Sequence, residues 1–153
     1  MNFDSVLERL KNVKMVKVRP SLRTIIIDGE IFTLAFPYMY FFKNTHVFWS
    51  LQDIDKLSEE EKEDMEISVP LLPNVFECGD ICWGRTAPDY EEVVATFFGG
   101  SFATSEGGAY NLLEDTKLLN FNQWSKMSKN KKPLDVFDGF KSPKLKFLIK
   151  DLI

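Results

Sequence analysis

The sequence predicts an α+β domain: an N-terminal helix, then an antiparallel meander of about four strands, then a long irregular loop, then further helices. Three observations carry this reading. Phe3, Val6, Leu7 and Leu10 fall at i, i+3, i+4 and i+7, which is one face of a helix. Between positions 15 and 49, β-branched and aromatic runs are punctuated by Pro20, Asp28-Gly29, Pro37 and the polar stretch 43–46. Beyond position 88, Tyr90, Val93, Val94 and Phe97 mark another apolar helical face.

Taken in order, Ser5 and Glu8 have capping-box spacing, so the first helix is expected to run two to three turns and end near Asn12. Residues 15–19 alternate as a short strand that Pro20 stops. Residues 22–27 and 31–36 flank Asp28-Gly29, a hairpin turn pair. Residues 38–42 and 47–49 form a second hairpin across 43–46. Ser58 is placed to cap a short helix over 59–65, a stretch that reads equally as a flexible loop, and 67–69 reads as a brief extended piece. Pro88 and Asp89 look like the start of a helix that Gly99-Gly100 ends. Residues 101–108 are small and polar, which predicts a mobile loop. A short helix is expected within 112–124, an exposed lysine-rich loop at 125–133, and a closing helix on the stripe Leu145, Leu148, Ile149 and Leu152.

At 153 residues the chain is read as one domain, 1–153, with enough length for a sizeable core. Its 44% apolar and 27% charged content is ordinary for a globular chain, and fourteen phenylalanines point to an aromatic core or a surface buried against a partner. No apolar run approaches the roughly 20 residues needed to span a bilayer, and no signal peptide is visible. Two cysteines do not make a disulfide framework, so a reducing, cytoplasmic setting is expected. The net charge of −4 argues against general nucleic-acid binding. Charge is uneven: residues 51–70 hold eight acids and two lysines, while 117–153 hold nine lysines and three aspartates. These stretches are either solvated surface or two docking surfaces of opposite sign for protein partners.

The loop before the second helical face reads Leu72-Pro73-Asn74-Val75-Phe76-Glu77-Cys78-Gly79-Asp80-Ile81-Cys82-Trp83-Gly84. It resembles the active-site signature of ubiquitin-conjugating enzymes: His-Pro-Asn, a short loop, Gly, any residue, then Ile-Cys. It is closer still to a prokaryotic conjugating-enzyme-like branch typified by PRTRC system protein B. That branch reads Leu-Pro-Asn-Val-Tyr, a loop, then Val/Ile-Cys-Trp-Gly, with a downstream Phe-Phe-x-x-x-Phe that Phe97, Phe98 and Phe102 match. Leu72 stands where the main family has histidine. The resemblance implies a UBC-like fold and a thioester-forming cysteine at Cys82. It implies an oxyanion-stabilising amide at Asn74, with a ubiquitin-like protein and a ThiF-type activating enzyme as partners. It implies no cofactor. The other reading of the same fold is a non-catalytic adaptor or a structural subunit of a larger assembly, such as a phage particle.

Each candidate residue also has a plainer role. Cys82 is either an accessible nucleophile or a small buried apolar residue. Asn74 either serves the reaction or hydrogen-bonds its own loop. Trp83 is either core or a partner contact. Cys78, four residues before Cys82, is a candidate for a regulatory disulfide or half a metal site. His46 is the only histidine, which leaves too few ligands for zinc, so no metal is expected. No glycine-rich phosphate loop or dinucleotide fingerprint is present.

Overall fold

The structure, a computed structural model, describes residues 14–84, 86–140 and 146–148. The expected N-terminal helix lies outside the described residues. The chain is α+β, with two sheets of mostly antiparallel strands and several helices.

The sheets begin as one bent hairpin. β1 (Met15–Val18) pairs with β4 (Tyr38–Phe42), and β2 (Ser21–Ile27) pairs with β3 (Glu30–Phe36). Val18 faces Met39 and Ser21 faces Phe36, so the same register runs through both halves and sets Pro20 opposite Pro37. Neither proline has an N–H for the ladder, so pairing lapses on both strands at one level and the hairpin turns from one sheet into the other. Asp28 and Gly29, both at positive φ, make the two-residue turn at its tip.

β5 (His46–Ser50) pairs antiparallel with β4, and β6 (Glu66–Ser68) with β5, so β4, β5 and β6 follow one another as a meander, while the β2–β3 hairpin belongs to a second sheet rather than to one four-stranded sheet. His46 is therefore the first residue of a strand rather than a turn residue. The first sheet runs β1-β4-β5-β6-β8 and the second β3-β2-β7, where β7 is Ser101–Phe102 and lies parallel to β2.

The last strand corrects an expectation. Lys146–Leu148 is β8, antiparallel to β6, where a closing helix was predicted; Leu145, Ile149 and Leu152 of that stripe lie outside the described residues. Lys-Phe-Leu fits a period of two as well as it fits a helical stripe, and the free edge of β6 offers a ladder of hydrogen bonds.

Residues 53–64 of the acidic stretch lie outside both sheets. Glu59–Glu63 is helix α1, closed by a capping box in which Ser58 and Glu61 exchange side-chain bonds to each other's backbone N–H. Among residues 53–64, Ile54 turns into the core, where its N–H donates to the Tyr40 hydroxyl at 3.0 Å. Lys17 on β1 ties the segment to the sheet through Asp53, at 2.8 Å, and Asp55.

Helix α2 (Val93–Gly99) follows a single 3-10 turn at Tyr90–Glu92. Helix α3 spans Phe121–Lys129 and opens on Asn120, whose side chain accepts from the Gln123 N–H at 2.8 Å. The lysine-rich stretch 125–133 was expected as an exposed loop, but it is helical through Lys129. The reason is Trp124 and Ser128, four residues apart on one helix face. Ser128 Oγ accepts from the Ala35 N–H at 2.8 Å, and Trp124 Nε1 donates to the Ala35 carbonyl at 2.9 Å. These two side chains occupy the outer edge of β3, which would otherwise leave buried main-chain groups unpaired.

The phenylalanines are used mainly in the core. Phe36 packs edge-on against Phe98 and Trp124, Phe41 against Phe97, and Trp49 against Trp124 and Phe137, with ring centroids 5.2–5.7 Å apart. Outside it, Leu22, Ile26 and Ile31 remain exposed on the outer face of the β2–β3 hairpin. Among the described residues, no helix is long and apolar enough to cross a membrane.

Candidate functional site

The stretch from Leu72 to Trp83 is a small hairpin laid against the β4–β5 turn. Leu71, Leu72 and Val75 are fully buried and anchor its entry. Val75 and Ile81 face each other in an antiparallel bridge, and the Phe76 N–H donates to the Asp80 carbonyl at 2.9 Å. The turn closes with the Gly79 N–H on the Phe76 carbonyl at 2.9 Å. Gly79 has φ +87°, and a Cβ there would sit 2.5 Å from the Phe48 ring, so no other residue fits this turn without displacement. Two cross-bonds dock the hairpin: Val47 N–H to the Gly79 carbonyl at 3.0 Å, and Ile81 N–H to the Thr45 carbonyl at 2.8 Å.

This folding brings Asn74 and Cys82 together. The Cys82 N–H donates to the Asn74 carbonyl at 2.8 Å. Both residues line one cleft of about 350 Å³, together with Trp83, Phe97, Gly99 and Gly100. Cys82 is partly exposed rather than a core residue. The volume lies at the small end of the range for ligand clefts. The side chain of Asn74 does not brace the loop as the plainer reading had it. Its Oδ1 is buried with no hydrogen-bond partner. An unsatisfied buried acceptor costs about 1–3 kcal/mol, so a donor from water or a ligand at this oxygen would stabilise the loop.

Trp83 is both wall and brace. It packs edge-on against Phe97 at 6.4 Å and donates from Nε1 to the Asn44 carbonyl at 2.7 Å. Asn44 in turn donates to the Pro88 carbonyl at 2.9 Å, tying the exit of the loop to the β4–β5 turn.

The far wall of the cleft comes from residues that the sequence reading had treated as helix end and mobile loop. Thr96, Gly99, Gly100, Ser101 and Phe102 line it. Their stretch is anchored: β7 pairs with β2, and Asp28 at the hairpin tip accepts from the Thr104 N–H at 2.9 Å and from its hydroxyl. These bonds hold the Asp28 carboxyl below its usual range. Further on, Gly108 lies against Pro73, where a Cβ would be 2.4 Å from the Pro73 oxygen, and the Ala109 N–H donates to the Val75 carbonyl at 2.7 Å. The signature is thus clamped from both sides. The Phe97, Phe98, Phe102 pattern was the one signal for this wall; nothing in residue type marked Gly99 or Gly100 as lining.

Cys78 stands apart, exposed at the hairpin turn, with its Sγ 2.9 Å from Asp80 Oδ2. That bond first, and then partial burial, raises its thiol pKa. Asp80 Oδ1 lies 2.6 Å from His46 Nε2. Among the described residues, no cluster of three or more histidine, cysteine or carboxylate side chains is arranged to hold a metal ion. Comparisons of the chain with known protein families, with curated proteins and with solved structures find no match.

Proposed function

We propose that the chain is a ubiquitin-conjugating-enzyme-like protein that carries a ubiquitin-like modifier as a thioester on Cys82 and passes it to an amine. The observation that carries this reading is the joint placement of Cys82 and Asn74 in one open cleft, with the cysteine main chain bonded to the asparagine. Support also comes from the chain order, in which antiparallel hairpins are followed by the loop after β6 and then by helix α2.

The chemistry needs two steps. The Cys82 thiolate attacks the thioester carbonyl of a ThiF-type activating enzyme and expels that enzyme's thiolate. An acceptor amine then attacks the new thioester, the Cys82 thiolate departs, and the amine's proton goes to solvent. In each step the carbonyl oxygen becomes an oxyanion. The Asn74 carboxamide, which lines the same cleft as Cys82, is the side-chain donor that would present Nδ2–H to that oxygen. Leu72, in the place of the main family's histidine, is a buried anchor. Bracing falls instead to the Trp83–Asn44 bond and the docked hairpin. The setting that follows is the cytoplasm, with proteins as partners rather than nucleic acid or membrane.

A non-catalytic UBC-like adaptor or assembly subunit is the second reading. The exposed apolar face of Leu22, Ile26 and Ile31 favours it. A charging reaction separates the two. With activating enzyme, ATP and modifier, wild-type protein should form a reducible adduct that Cys82→Ala abolishes and Cys82→Ser converts to a thiol-resistant ester. No adduct with its cognate partners would favour the adaptor.

A further inference from the structure

The signature holds two thiols, and their surroundings differ. Cys82 faces the cleft, while Cys78 is exposed at the turn of the same hairpin. An exposed thiolate on the same loop as an acyl-transfer centre is a competitor. Its sulfur adds to the thioester carbonyl, the existing carbon–sulfur bond breaks, and the departing thiolate takes up a proton from solvent. Nothing in the energetics of exchange between two thioesters opposes this, so selectivity rests on which sulfur is available as thiolate.

The structure provides a group that withholds one of them. Cys78 Sγ donates to Asp80 Oδ2 at 2.9 Å, and the other oxygen of the same carboxylate is 2.6 Å from His46 Nε2. His46 Nδ1 is in turn 2.8 Å from Thr45 Oγ1, and the backbones of His46 and Asp80 are bridged. The carboxylate is therefore gripped on its far side and keeps its near oxygen on the sulfur. The order is thiol, carboxylate, imidazole. In a nucleophilic cysteine–histidine pair the imidazole adjoins the sulfur and takes its proton. Here a carboxylate adjoins it, a much weaker base than a thiolate, and its negative charge opposes a second negative charge on sulfur.

We infer that Asp80, positioned by His46, holds Cys78 in its thiol form and so confines the acyl group to Cys82. Its consequence for acyl transfer rests on the transferase reading; the masking of Cys78 itself does not. The upward displacement of the Cys78 thiol agrees with the geometry.

The test reads the two cysteines of one molecule against each other. Wild-type protein is alkylated with iodoacetamide at neutral pH, natively and in concentrated urea, and both sites are quantified by peptide mass spectrometry. Cys78, although exposed, should react several-fold faster once unfolding removes Asp80. Asp80→Asn keeps the shape and an acceptor oxygen but no charge; in the folded variant Cys78 should react about tenfold faster, with Cys82 changed less than twofold. Equal Cys78 rates with and without the charge, or Cys78 and Cys82 accelerating together as in an opened loop, overturn the inference. In a charging reaction, Cys82→Ala should form no adduct, whereas Cys82→Ala with Asp80→Asn should gain a reducible one on Cys78. An adduct of equal yield without the Asp80 change also overturns it. Absence of any adduct in wild type defeats the transferase reading and leaves the alkylation result to decide on Asp80.

Discussion

Replacing Gly108 by alanine should destabilise the protein through the signature itself, and Gly107 supplies the control. Gly107 has φ +80° and ψ −163°, and Gly108 has φ +131° and ψ 178°. Both lie in a region that side chains avoid, at a cost of about 1–3 kcal/mol. About 0.4–1 kcal/mol returns to either variant because alanine restricts the unfolded chain. The two differ in what the new methyl meets. At 107 there is nothing within 4 Å; at 108 the Cβ falls 2.4 Å from the Pro73 oxygen and 2.9 Å from its carbonyl carbon. Those are main-chain atoms of the residue before Asn74, so they move only if the loop moves. Overpacking of this kind adds about 1–3 kcal/mol. Gly107→Ala should therefore cost about 1 kcal/mol and Gly108→Ala about 3 kcal/mol, both read from urea unfolding followed by tryptophan fluorescence. If the two variants agree to within about 0.5 kcal/mol, loop 107–115 does not clamp the signature as described.

Two further outcomes follow from the elements that frame the cleft. Ser128→Ala removes the buried partner of the Ala35 N–H and should cost about 1–3 kcal/mol in the same unfolding assay, while an exposed neighbour such as Lys126→Ala stays within about 0.5 kcal/mol. The Asp28 anchor should respond to acid. Its carboxyl titrates below the ordinary 3.8 in the folded chain, so its contribution is complete above that value and is lost as pH falls through the folded one. Hydrogen-exchange protection of the Thr104 amide, corrected for intrinsic rate, should hold from neutral pH to about 5 and decline below about 4, and Asp28→Asn should remove that pH dependence.

How much of this was legible follows from how local each signal is. The hairpins were readable because Asp28-Gly29, Pro20 and Pro37 act on their own neighbours, and Ser58 marks a helix start in the same local way; its reciprocal bond with Glu61 came from the structure. That Pro20 and Pro37 face one another was not readable, since it depends on register between distant strands. Ser101–Phe102 read as loop because its order comes from β2 and from Asp28, more than seventy residues earlier in the chain at Thr104. Trp124 and Ser128 hold 125–129 helical through Ala35, a partner no window on the lysines contains. At the site, Cys82 and Asn74 emerged from the signature's resemblance. The free Oδ1 of Asn74 and the Asp80–His46 grip on Cys78 are properties of the folded loop alone.

The central claim is that Cys82 and Asn74 form one reacting centre. Single-turnover discharge of Cys82-charged protein to a free amine, compared between wild type and Asn74→Ala, tests it most directly. The account predicts that Asn74→Ala charges normally and discharges more slowly by on the order of 10²–10³, the loss of one oxyanion donor. Discharge at the wild-type rate, or a thioester that maps to a residue other than Cys82, would contradict it.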